Sequence, residues 1–177
     1  MDPELPGPDP DTIKELVSLA ILAPNHKFTF PWRFHVVTGD DRKELGRLWA
    51  EESRENDWVP ESALAREAAK LERGPVLIFV GMVSETENAV RYQEDLLATG
   101  AAVENLLLLF HDRGFSTMWR TGRMVVSKKI KAAIGYQEGE ETVAVLYVGQ
   151  MSTTFNPPPR RRPPVEDVIS FGLTHSS

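Results

Sequence analysis

Two short stretches carry side chains able to do chemistry. In APNHKFTFPWRFHVVTGDD, His26 and Lys27 occupy a proline-bounded loop, and Arg33 opens the segment that follows. Basic and aromatic groups with no carboxylate in the same loop suit an anionic or planar ligand better than proton transfer. The commoner role of an isolated loop histidine is a hydrogen bond to its own loop; Pro31 and Trp32 also read as a turn and a core aromatic. In GFSTMWRTG, the indole of Trp119, the guanidinium of Arg120 and the hydroxyl of Thr121 precede the permissive Gly122, with Arg123 beside them. Such a set can hold a heteroaromatic ring by edge hydrogen bonds and charge. A Trp-Arg pair is also common as a packed surface ledge. A third group, Arg160-Arg161-Arg162, offers guanidinium forks that match phosphate oxygens. Charge runs in tails are usually just solvated.

Other chemistries find no support. There is no G-x-S-x-G elbow, and His26, His35, His111 and His175 show no partner spacing, so no catalytic side chain is named. Metal-ligand spacing, a dinucleotide-binding glycine fingerprint and a P-loop are likewise missing. The absence of cysteine excludes disulfides, thiolate metal sites and a cysteine nucleophile. With 20 basic against 26 acidic residues, the net charge of −6 argues against nucleic-acid or anionic-membrane partners. A chain of 177 residues suffices for one domain, 1–177, with a sizeable core. Residues 1–10, acidic and proline-rich, read as an extended connector without the basic and apolar regions of a leader. A cytoplasmic location is expected.

The elements that must position these groups follow from periodicity. Ile13, Leu16, Val17, Ala20 and Ile21 recur at helical spacing, with Asp9 or Asp11 as cap and Pro24 as stop. A strand is predicted near 33–38, then polar, solvent-facing helices over 42–52 and 60–73. The apolar runs VLIFVGM at 76–82 and TVAVLYVG at 142–149 predict strands covered on both faces. Between them a long helix starts near Asn88 and ends at Gly114. From Leu96 to Phe110 its only charged residue is Glu104, the pattern of a helix buried on nearly every side, and its small residues Ala98, Gly100, Ala101 and Ala102 allow close approach. The loop with Trp119, Arg120 and Thr121 comes next. Ser127 caps a short helix over 128–134, and residues 151–177 form an extended tail with a turn near 165–170. Strands separated by helices give an α/β or α+β class with one central sheet.

Taken together, the segments resemble the flavin-dependent nitroreductase family, most closely its compact NAD(P)H nitroreductase branch. APNHKFTFPWRFHVVTGDDR is similar to that branch's Ala-Pro-x-His-Lys … Pro-Trp-Arg-Phe signature, and GFSTMWRTG to its Gly-Phe-x-x-x-Trp-Arg-Ser-Gly flavin loop. The resemblance covers roughly residues 11–150. It implies an α+β fold, a central and mainly antiparallel sheet flanked by helices, and an intertwined homodimer binding FMN at its interface. It implies that His26 touches FMN, from its own or the partner subunit, that Trp119, Arg120 and Thr121 lie beside the ring or its phosphate side, and that Arg160 or Arg162 reaches the phosphate. The implied reaction carries hydride from NAD(P)H through FMN to a nitroaromatic, quinone or similar small acceptor. Family members begin with a helix and an Arg-Arg-Ser motif that grips FMN, and this chain starts beyond that point. The alternative is therefore a non-catalytic dimer of the same fold serving as a flavin- or ligand-binding module.

Overall fold

The computed structural model describes residues 1–151 and 161–172. Helix α1 (Pro10–Ala20) starts where the Asp9 carboxylate accepts from the N–H groups of Asp11 and Thr12, both at 2.9 Å, with Pro10 in the first turn. A loop leads to β1 (Trp32–Thr38), then α2 (Asp41–Glu55). The stretch expected as one helix over 60–73 is broken instead. A short α3 (Leu64–Ala68) sits between single 3-10 turns at Glu61–Ala63 and Ala69–Glu72. Nor do these helices merely face water, since Leu45, Trp49, Leu64 and Leu71 are buried. Strand β2 (Val76–Val83) leads through Asn88, whose side chain accepts from Arg91 N–H, into the long α4 (Ala89–Asp112).

Residues 116–120, expected as loop, form a strand, β3 (Ser116–Arg120), followed by α5 (Lys128–Ala133) and β4 (Glu140–Gly149). The sheet is antiparallel throughout, in the order β1-β2-β4-β3. This is an α+β architecture. No residue from Val76 to Met82 is exposed, as a strand covered on both faces requires. On one face, Ile13 and Leu16 of α1 and Val103, Leu106 and Phe110 of α4 pack on Ile78, Val80 and Leu146. On the other, Leu45 and Trp49 of α2 and Ile130 of α5 pack on Leu77, Phe79, Val145 and Tyr147. Burial pushes the Tyr147 hydroxyl up to about 12, so it stays protonated and lies 3.9 Å from Met124 Sδ. Among the described residues no helix is long and apolar enough to cross a membrane.

The layer on this second face is locked by one buried acid. Glu52 of α2 accepts from the Ser127 hydroxyl and from the N–H groups of Lys128 and Lys129, each of the latter at 3.1 Å, closing the start of α5. Ser127 itself caps Ile130 N–H. Glu52→Ala leaves these donors without their protein acceptor and is expected to lower stability by about 3 kcal/mol. The measurement is urea unfolding, where the midpoint should fall with its slope unchanged.

Candidate functional site

The loop before β1 is held in an uncommon conformation. His26–Phe28 makes a single 3-10 turn, and Lys27, Phe28 and Phe30 have φ of 54, 54 and 47°. Left-handed backbone at residues bearing a Cβ costs about 1–3 kcal/mol each and persists where surrounding contacts over-determine it. Within the loop, Phe30 N–H donates to Asn25 Oδ1 at 3.1 Å. His26 does find a carboxylate, but from α4 rather than from its own loop: its Nδ1 lies 3.7 Å from Glu94 Oε1. The Phe28 and Phe30 rings stand outward, 78% and 55% exposed. Arg33 turns back to its own strand, donating to Trp32 O at 2.9 Å and lying 3.4 Å from Glu140.

The second stretch occupies the far edge of the sheet. Because β3 is a strand, successive side chains alternate between faces. Trp119 pairs with Leu146 and so shares the α1/α4 face, while Arg120 pairs with Val145 on the α2/α5 face. The indole and guanidinium therefore cannot grip the same side of one ring from a single subunit. Arg120 and Thr121 instead line a pocket of about 230 Å3 with Trp49, Trp58, Lys70 and Arg123. Arg123 lies over the Trp58 ring at 5.7 Å, and Trp58 stacks on Trp49 at 5.5 Å. Among the described residues neither Arg120 nor Arg123 has an ion-pair partner, so the pocket is cationic with an aromatic wall. The walls from Trp49, Trp58 and Lys70 were not foreseen; the tryptophans in an otherwise charged stretch were the available signal.

The two motifs lie at the same end of the sheet but on opposite edges. Arg120 stands level with Val145, Phe79 and His35 across the sheet, three inter-strand spacings or roughly 14 Å from β1 and further still from its start at Trp32, beyond which the His26 loop lies. Arg162 lies exposed in the tail, and Arg160 falls outside the described residues.

With this geometry in place, comparison with known proteins is decisive. The sequence profile of the Nitroreductase family matches residues 4–150. The chain belongs to the nitroreductase family. It is 28% identical over 157 residues to YfhC of Bacillus subtilis, provisionally named an NAD(P)H nitroreductase, covering 88% of this chain and 79% of that one. A nitroreductase-like family protein from Bacillus cereus superposes with a TM-score of 0.79 at 25% identity, covering 94% and 86% of the two chains. The FMN and NADPH-dependent nitroreductase NfnB of Sphigopyxis sp. strain HMH shares the fold, with a TM-score of 0.75 at 16% identity over 96% and 92%. As a member of this family the chain is an oxidoreductase.

The pocket of this nitroreductase-family chain is also lined by Glu67, whose charge responds to pH. Burial pushes the Glu67 carboxyl up, but hydrogen bonds from Lys70 at 2.5 and 2.6 Å and from Trp49 Nε1 at 3.1 Å outweigh it and hold the group below its ordinary 4.5. A native value below the unfolded one makes ionised Glu67 stabilising above pH 4.5, a contribution lost as pH falls through the native value. In Lys70→Met the Glu67 carboxyl is expected to titrate at a higher pH than in the wild type, which carboxyl-carbon NMR reads directly.

Proposed function

We propose that the protein is an FMN-dependent, NAD(P)H-oxidising reductase of small acceptors such as nitroaromatics and quinones, acting as a homodimer with the flavin between subunits. The observation that carries this reading is the separation of the two flavin-signature motifs across the sheet within one subunit. On this reading a second copy supplies one half.

Surface chemistry favours the same assembly. Leu97 and Leu108 on the outer side of α4, Leu22 after α1, and Phe28 and Phe30 in the adjoining loop are exposed large hydrophobics. Surface of this kind marks an interface. Gly100 lies between the two exposed leucines with open space where a Cβ would stand, so another backbone can come close.

The residues present fit FMN as a half-site. A pocket of about 230 Å3 is smaller than the ~300 Å3 at which whole-ligand sites begin. Its guanidinium forks, Arg120 and Arg123, suit a phosphate or an anionic ring edge, and Thr121 adds a hydroxyl. His26 of a second copy would complete the enclosure. When bound, FMN supplies the two-electron chemistry, accepting hydride from NAD(P)H and giving it to the acceptor. The chain's own part is to orient the ring, exclude water and hold positive charge beside it. The relationship to proteins named for NAD(P)H or FMN supports this reading.

Protein reconstituted with FMN is expected to show flavin absorbance that NADH or NADPH bleaches anaerobically. No FMN uptake at micromolar concentration would sink the proposal, and a bound flavin that neither nicotinamide bleaches would point to a carrier module. Leu97→Glu is expected to give a monomer by light scattering and to lose FMN. Arg120→Gln should keep the dimer but weaken FMN binding about tenfold, the worth of one charge-assisted hydrogen bond.

A further inference from the structure

Asp95 lies on the inner side of α4 and is 2% exposed. Its Oδ1 accepts from Thr29 Oγ1 at 2.5 Å, its Oδ2 accepts from Ser84 Oγ at 2.7 Å, and Arg91 Nε stands 3.4 Å from Oδ2. These partners come from the loop before β1, from the residue just after β2, and from the first turn of α4. A carboxylate is retained in so dry a place only when paired and hydrogen-bonded, as this one is.

Thr29 sits between Phe28 and Phe30, both left-handed. Phe30 N–H donates to Asn25 Oδ1 within the loop, and at the loop's end Pro31 O accepts from Val83 N–H of β2 at 2.8 Å, so Thr29 supplies the side-chain hydrogen bond that ties the middle of the loop to α4. We infer that Asp95 is a positioning residue for the flavin site: through Thr29 it docks the 25–31 loop on α4 in the one conformation that presents His26, Phe28 and Phe30 outward. The inference rests on the proposed function for the identity of the ligand. Asp95 itself touches no ligand atom in this role. Its neighbour Glu94 faces His26, so consecutive residues of α4 hold both ends of the same short turn.

Asp95→Asn disturbs several partners at once and can fail to fold, so the decisive variants are at Thr29. Thr29→Val removes the donor and keeps the shape, whereas Thr29→Ser keeps the donor. Three quantities are read: the FMN dissociation constant from flavin fluorescence, the thermal midpoint, and amide hydrogen exchange of residues 27–30 in FMN-free protein. Thr29→Val is expected to weaken FMN about tenfold, to speed exchange in the loop, and to leave the midpoint within a few degrees of wild type. Thr29→Ser should behave as wild type in all three. A Thr29→Val protein that binds FMN as tightly as wild type overturns the inference, and so does a lowered midpoint with unchanged affinity. If the wild type itself takes up no FMN, the proposed function fails. Exchange in the FMN-free protein then still decides the tether, and loop exchange unchanged by Thr29→Val overturns it.

Discussion

Strand β2 offers water nothing on either face, and the rest of the architecture follows from that constraint. Every residue from Val76 to Met82 is buried, so helices must cover both sides, α1 and α4 on one and α2 with α5 on the other. With β2 and β4 central, β1 and β3 become the edges. The two polar, aromatic stretches are carried on those edges because the centre has no room for them. The separation of the two motifs thus originates in the most hydrophobic stretch of the sheet.

Local signals survived the passage from sequence to structure. Asp9, Asn88 and Ser127 cap the helices they precede, Gly114 is left-handed just past α4, and the two continuous apolar runs are the central strands. Strand β3 escaped notice because Ser116–Arg120 is short and only half-buried, with no clean apolar alternation. The region 60–73 divides into a short α3 between single 3-10 turns, and its apolar residues Leu64 and Leu71 are both buried in spite of the charged residues around them. Glu52 and Asp95 were invisible as clamps, since their partners lie far away in sequence, Ser127 for one and Thr29 for the other. Nothing in local composition marks a carboxylate whose meaning is set by a distant hydroxyl.

The candidate site divides labour between the faces of one edge strand. Arg120 sends charge into the tryptophan-walled pocket, while Trp119 stands on the α4 side, nearer the surface that a second copy would cover. The long helix reads differently in this light. Its lack of a polar stripe reflects two apolar faces rather than uniform burial, with Leu106 and Phe110 facing the sheet and Leu97 and Leu108 facing outward. The same helix holds the His26 loop through Glu94, so its exposed leucines and that loop share one rigid support.

The sheet's outer edges limit how copies can join. Strand β3 has only five residues, and β1 carries Arg33 and His35 along its seven. Short, charge-bearing edges resist end-on strand addition. Open-ended polymerisation through backbone pairing is thereby disfavoured, which matters for a chain with so much exposed leucine and phenylalanine.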